Sequence, residues 1–210
     1  MRDFTDNCIV LKISDYRDDD RLANVLTAEN GMATLQFRGV KKAKAKLKPF
    51  AQAFAVFNAR FTSTRGAFLT PIEPAMIQDG YGLSADLKMY AAASVCAEAT
   101  MLALGDDEPH PDVFVEMLRF IKSAQFDGDP YYSAITYVCE LLKLSGFYRE
   151  YTYESEPKSP VQMLGYCQRH GYEKREESDM TRRALKYIIS EFSKNFDVGL
   201  KSIESVDLYK

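Results

Sequence analysis

Residues 8–77 hold five short strand-like segments joined by tight turns, and this pattern stops after Pro71 and Pro74. Short segments of this kind commit a chain to a sheet, and a small sheet must curl on itself or be covered. Cys8–Ile13 and Leu22–Leu26 are apolar runs separated by the acidic turn Ser14–Asp20. Met32–Phe37 follows Asn30-Gly31, a hairpin signal because both residues tolerate positive φ. In Ala51–Phe61, Ala55, Phe57, Ala59 and Phe61 share one face, while Val56, Asn58 and Arg60 share the other. Thr64-Arg65-Gly66 makes the next turn, and Ala67–Ile72 returns. Five strands with one long loop predict a small β-barrel of the OB type; an SH3-like barrel would give a similar pattern.

The long loop carries the charge anomaly of the chain. Between Asn30 and Ile72 there are eight Lys or Arg residues and no Asp or Glu. Residues 1–75 hold 12 Lys+Arg against 8 Asp+Glu, a balance of +4; residues 76–210 hold 15 against 22, or −7, and the two sum to the net −3. Crowded cations repel one another, so folding gives no reason to gather them. A polyanion does, because neutralised phosphates release condensed counterions. Arg38, Lys41, Lys42, Lys44, Lys46 and Lys48 are therefore the candidate phosphate contacts, with Arg60 and Arg65 extending the track along the barrel. The competing reading is a solvated loop with surplus lysines. Phe37, Phe50, Phe57 and Phe61 are interleaved with the cations. They either stack bases, at about 1–3 kcal/mol each, or fill the barrel interior. Five neutralised phosphates would give a salt slope on single strands of −0.7 × 5, or roughly −3.5.

After the barrel the apolar spacing becomes helical. Ser84–Leu104 lacks Gly and Pro and is expected to form one long helix ended by Gly105. Pro111–Ala124 and Pro130–Ser145 follow, each with Pro in the first turn, and Gly146 is a plausible C-terminal cap of the latter. Met180–Asn195 is the fourth helix. Tyr148–Ser178 has no clear period. A structureless loop of roughly thirty residues is uncommon in a compact domain, so a small insert with its own strands is expected there. The resulting expectation is an α+β chain with an OB-fold nucleic-acid-binding domain in residues 1–80. An α-helical domain in 81–210 follows, with an irregular insert at 148–178.

Catalytic constellations are weak. Asp18, Asp19 and Asp20 invite a Mg²⁺ reading, but between two strands they are better read as a solvated turn whose acidity keeps the lysine loop off its own barrel. His110 and His170 have no Ser or Cys at triad spacing, and Gly80-Tyr81-Gly82 is too short for a phosphate loop. An enzyme is not expected. Arg182 and Lys186, four apart on the last helix, are candidates for a second DNA contact or for an acidic partner tail. Their alternative is pairing with Glu176, Glu177 or Asp179. Arg119 and Lys122 are also available to an acidic peptide. No run of about 18 apolar residues spans a membrane. The N-terminal MRDFTDNCIVLK has acids where a signal peptide needs apolar residues. With four cysteines and no C-x-x-C pair, a reducing cytoplasm is the expected compartment.

The stretch from Cys8 to Leu22 (CIVLKISDYRDDDRL) resembles the opening strand and acidic turn of the RecO family, the bacterial recombination mediators. The likeness continues through Asn30-Gly31, through Arg38-Gly39 into Lys41–Lys48, through Leu47-Lys48-Pro49-Phe50, and reappears at Leu200-Lys201-Ser202. The resemblance implies a non-catalytic protein that binds ssDNA and dsDNA and anneals complementary strands. It implies three partners: RecR, the acidic C-terminal tail of single-stranded-DNA-binding protein, and RecA through a functional link. It also implies a cytoplasmic, nucleoid-associated location. One departure stands out. Many family members carry two pairs of zinc-ligand cysteines in the insert, whereas this insert offers only Cys167 and His170. Structural zinc takes four ligands. No metal and no cofactor are therefore expected, and the insert reads as a degenerate zinc-finger-like region where Tyr151, Tyr153, Tyr166 and Tyr172 pack in place of the metal. The alternative function is an RNA-associated OB-fold protein, which the same cationic loop would serve.

Overall fold

A computed structural model describes residues 3–63, 68–105, 108–125 and 128–208. The chain forms two compact units, one of Met1–Ser84 with Leu104–Phe114, the other of Ala85–Ala103 with Val115–Lys210. The first is built on β1 (Asp3–Tyr16), β2 (Asp20–Thr27), β3 (Met32–Phe37), β4 (Val56–Thr62) and β5 (Thr70–Gln78). They form one sheet in the order β3-β2-β1-β4-β5, all neighbours antiparallel.

Leu69 turns the sheet into a barrel. It bridges in parallel to Leu35, its N–H donating to the Thr34 carbonyl (2.9 Å) and its carbonyl accepting from the Gln36 N–H (2.8 Å). The circuit β1-β2-β3-β5-β4 is thus a Greek-key barrel of the OB type. β1 serves both neighbours, pairing with β4 along Asp3–Ile9 and with β2 along Cys8–Tyr16, and its register shifts between Val10 and Lys12. Such an irregularity bends a strand, as closure requires. The Asn30-Gly31 hairpin forms as expected. Gly31 has φ +73°, and a β-carbon there would lie 2.4 Å from the Glu108 carbonyl oxygen. Strand β4 starts five residues later than the alternation suggested, at Val56. Phe57, Ala59 and Phe61 do point inward, but Val56 is buried as well. The Thr64-Arg65-Gly66 turn lies outside the described residues.

The second unit is helical: α2 (Leu87–Ala103), most of α3 (Pro111–Gln125), α4 (Pro130–Leu144), α5 (Pro160–His170), α6 (Asp179–Phe196) and α7 (Ser205–Leu208), preceded in the chain by the short α1 (Tyr81–Ala85). The single helix expected over Ser84–Leu104 is in fact two. The Asp86 carboxylate accepts from the Lys88 and Met89 N–H groups (2.8 and 2.9 Å), so the side chain caps a new helix instead of continuing the old one. Helix α4 is the centre, buried nearly all round, with α2, α5 and α6 packed against it. Asp129 caps its start, with Pro130 in the first turn. At its end Gly146 (φ +84°) donates to the Lys143 carbonyl and Phe147 to that of Leu142, a Schellman closure. Between α2 and α4 the Thr100 and Tyr137 hydroxyls meet at 2.6 Å, both fully buried.

The insert at 148–178 contains no strand; its ordered element is helix α5. The helix follows from local chemistry. The Ser159 hydroxyl caps the Gln162 N–H, Pro160 occupies the first turn, and Met163, Leu164 and Cys167 recur on one buried side. Among the described residues no helix is long and apolar enough to cross a membrane.

Candidate nucleic-acid interface

The loop from Arg38 to Ala55 joins β3 to β4 and is ordered by its own backbone. Gly39 (φ +63°) turns the chain out of the barrel. The Lys42 N–H then donates to the Gly39 carbonyl, Ala45 to Lys42, and Lys48 to Ala45, at 3.1–3.2 Å, so turns succeed one another every three residues. Val40 and Ala51 are buried in the barrel core, and Leu47 and Phe50 pack against it. Arg38, Lys42, Lys44, Lys46 and Lys48 face solvent. Apolar anchors hold the loop from below, and its cations stand outward.

The acidic turn clasps this loop, contrary to the expectation that it would keep the loop off the barrel. The Asp20 carboxylate accepts from the Gly39 N–H and from the Gln36 amide, each at 2.8 Å. The Gly39 bond, with the Gln36 bond and the nearby Arg17 and Arg38 charges, holds the Asp20 carboxyl below its ordinary range. The Lys41 N–H donates to the Asp19 carbonyl (3.0 Å). Lys41 pairs with Asp15 (3.2 Å) and Lys42 with Asp19 (3.4 Å). Arg21, itself beside Asp15 (3.4 Å), donates to the Ala51 carbonyl at the far end of the loop (3.3 Å). The turn is a fastener, and of the triplet Asp18 alone is exposed with no hydrogen bond or ion pair to the loop among the described residues.

The candidate cations accordingly divide. Arg38, Lys44, Lys46 and Lys48 are exposed and, among the described residues, within ion-pair distance of no carboxylate. Lys41 and Lys42 share theirs with the acidic turn. Arg60 lies on β4 with its guanidinium fork on Asp3, Nε to Oδ1 at 2.8 Å and Nη2 to Oδ2 at 2.5 Å, which holds the Asp3 carboxyl low. Arg65 lies outside the described residues. Phe37, Phe57 and Phe61 are fully buried, and Phe50 meets Phe57 edge-on at 5.3 Å. Phe37, Phe57 and Phe61 fill the barrel, and Phe50 packs against that core. The aromatic pair that does sit beside the loop, Tyr16 and Phe68, was not legible from alternation, because each stands at a strand end.

In the helical unit Arg182 is 16% exposed and pairs with Asp179 (3.6 Å) and Glu177 (3.9 Å), two of the partners named for it from sequence. Its guanidinium also lies over Tyr131. Lys186 pairs with Asp207 of α7. Arg119 pairs with the buried Glu116 (3.1 Å). In the insert Tyr166 stacks on His170 (4.1 Å) and on Tyr153 (6.2 Å), with the Arg175 guanidinium 4.5 Å from the Tyr166 ring centre. Tyr151 is buried, while the Tyr153 ring is exposed. Cys8, Cys96, Cys139 and Cys167 are all free and buried, and burial pushes the Cys167 thiol up to about 12. Among the described residues no group of three or more His, Cys, Asp or Glu side chains is placed to hold a metal ion.

Residues 1–79 match the family model described as Recombination protein O N terminal. The DNA repair protein RecO of Bacillus subtilis (strain 168) is 28% identical over 144 residues, covering 68% of this chain and 55% of that protein. The same-named protein of Myxococcus xanthus (strain DK1622) is 28% identical over 121 residues, 58% of this chain and 50% of that one. That of Anaeromyxobacter sp. (strain K) is 26% identical over 114 residues, 54% and 45% respectively. The chain spans about half the length of the curated relatives it matches.

Proposed function

We propose, from the match of residues 1–79 to the Recombination protein O N-terminal model and the likeness to DNA repair proteins RecO, that the chain is a non-catalytic, DNA-binding recombination mediator of that family. It binds ssDNA and dsDNA through the β3–β4 loop and promotes annealing of complementary strands. With RecR it assists RecA loading on DNA coated by single-stranded-DNA-binding protein, whose acidic C-terminal tail is a further partner. The observation that carries the reading is the outward row of cations, Arg38, Lys44, Lys46 and Lys48, unpaired among the described residues, on a loop without a single carboxylate. Such a row neutralises phosphates without reading bases, which is what a protein handling any sequence needs. It also lowers the mutual repulsion of two strands brought together, so the same surface that binds would anneal.

Reversal of Lys44, Lys46 and Lys48 to Glu tests it. The variant is expected to lose annealing of complementary oligonucleotides, bare or coated, while its far-ultraviolet circular dichroism stays unchanged. Full annealing by the folded variant would refute the assignment of the loop. Tighter binding of RNA than of DNA of the same sequence by the unmodified protein would turn the reading toward an RNA-associated OB-fold protein.

A further inference from the structure

We propose that Tyr16 and Phe68 form the base-stacking platform of this interface, with Arg17 as an additional phosphate contact. The inference rests on the nucleic-acid reading above and adds the groups that would take the bases. Binding of single strands without sequence preference combines a cationic groove with aromatic faces on which bases stack. Phe37, Phe57 and Phe61 cannot supply those faces, since they are wholly interior, and the half-buried Phe50 packs edge-on against Phe57 at 5.3 Å.

Tyr16 is the last residue of β1, and Phe68 immediately precedes the Leu69 bridge that closes the barrel. Both are half-buried, with ring centres 5.8 Å apart and planes at 74°. Neither belongs to the barrel's interior cluster. The Arg17 guanidinium lies 5.1 Å from the Tyr16 ring centre, and Arg17 is solvent-exposed at a left-handed φ of +53°. A cation held over an aromatic face, with no carboxylate among the described residues at ion-pair distance, marks a surface suited to a base and its phosphate together. One contact and one shared charge tie this platform to the cationic loop. The Lys41 ammonium donates to the Arg17 carbonyl (3.5 Å). Arg17 and Arg38 both bear on the Asp20 carboxylate that fastens Gly39. The stacking groups therefore adjoin the root of the basic loop, where a strand tracked by Lys44–Lys48 would arrive.

The test compares a fluorescently labelled oligothymidylate with an abasic strand of the same length and charge, by anisotropy. Tyr16→Ala is expected to weaken binding of the thymidylate by roughly five- to 150-fold, the range a stacked aromatic gives. Binding of the abasic strand and the salt slope should not move, and Tyr16→Phe should restore the loss. Tyr16→Leu keeps an apolar side chain and carries the same expectation if the alanine variant loses the barrel. Equal weakening on both strands, or no weakening on either, would overturn the proposal. If the unmodified protein binds neither strand, the nucleic-acid reading itself fails; if it binds both with salt dependence and the Tyr16 variants match it, only the platform does.

Discussion

Replacing Asp15 and Asp19 by Asn should make DNA binding both tighter at low salt and more sensitive to salt. The two carboxylates are exposed at 68% and 51% and occupy Lys41 and Lys42 at 3.2 and 3.4 Å. Surface pairs of this kind contribute about 0–1 kcal/mol each, so their loss leaves the barrel folded. Asp20, which fastens Gly39 through its side chain, is untouched. The four unpaired cations of the loop contribute about −0.7 × 4, or −2.8, to the slope on single strands; freeing two lysines makes six loop contacts and raises that contribution to about −4.2. Between 50 and 200 mM salt, a fourfold rise, the loop's contribution should cost affinity about 50-fold in the unmodified protein and about 300-fold in the variant. Fluorescence anisotropy across that range measures both slopes. Parallel lines would refute the division of the lysines into free and engaged sets, and a shallower slope in the variant would reverse it.

Acid should undo the fastener. The Asp20 carboxyl is held below its ordinary range chiefly by the Gly39 N–H, so its contribution is fully present above the unfolded-chain value and disappears as pH falls through the lowered folded value. Protection of the Gly39 amide from hydrogen exchange should fall in that acidic window, and Asp20→Asn should remove the pH dependence. In the helical unit, Thr100→Val leaves the buried Tyr137 hydroxyl without its 2.6 Å partner and should cost about 1–3 kcal/mol in thermal or urea unfolding. The double variant Thr100→Val/Tyr137→Phe should cost less than the sum of the single changes, because no polar group is then stranded.

The barrel was legible because its signals are local: Asn30-Gly31 permits only a few turns, and Phe57, Ala59 and Phe61 alternate in a short strand. The four helices of residues 111–196 divide similarly. Proline at a first turn and glycine after a last one mark α3 and α4, but α5 was concealed because its apolar positions, Met163, Leu164 and Cys167, are few and flanked by polar coil. The break between α1 and α2 was hidden for another reason. Asp86 looks like an ordinary surface residue until its carboxylate turns onto two backbone N–H groups. For the candidate site, charge counting located the loop but not which cations are free. Asp15 and Asp19 stand more than 20 residues from the lysines they meet, and only the β1–β2 hairpin brings them together. Whether the phenylalanine rings stack bases or fill the interior stayed open from sequence, because a ring in a strand looks the same whether it faces inward or out.

The apolar underside of the lysine loop has a consequence for how tightly a flexible polymer can be held. A free tract of lysines would have to give up its conformational freedom on meeting its ligand, weakening the complex by that amount. Here Val40, Leu47, Phe50 and Ala51 root the tract in the hydrophobic interior, so its shape is settled when the barrel folds. Any polyanion that settles on it also stabilises the barrel beneath, and the melting temperature of the domain becomes a gauge of occupancy.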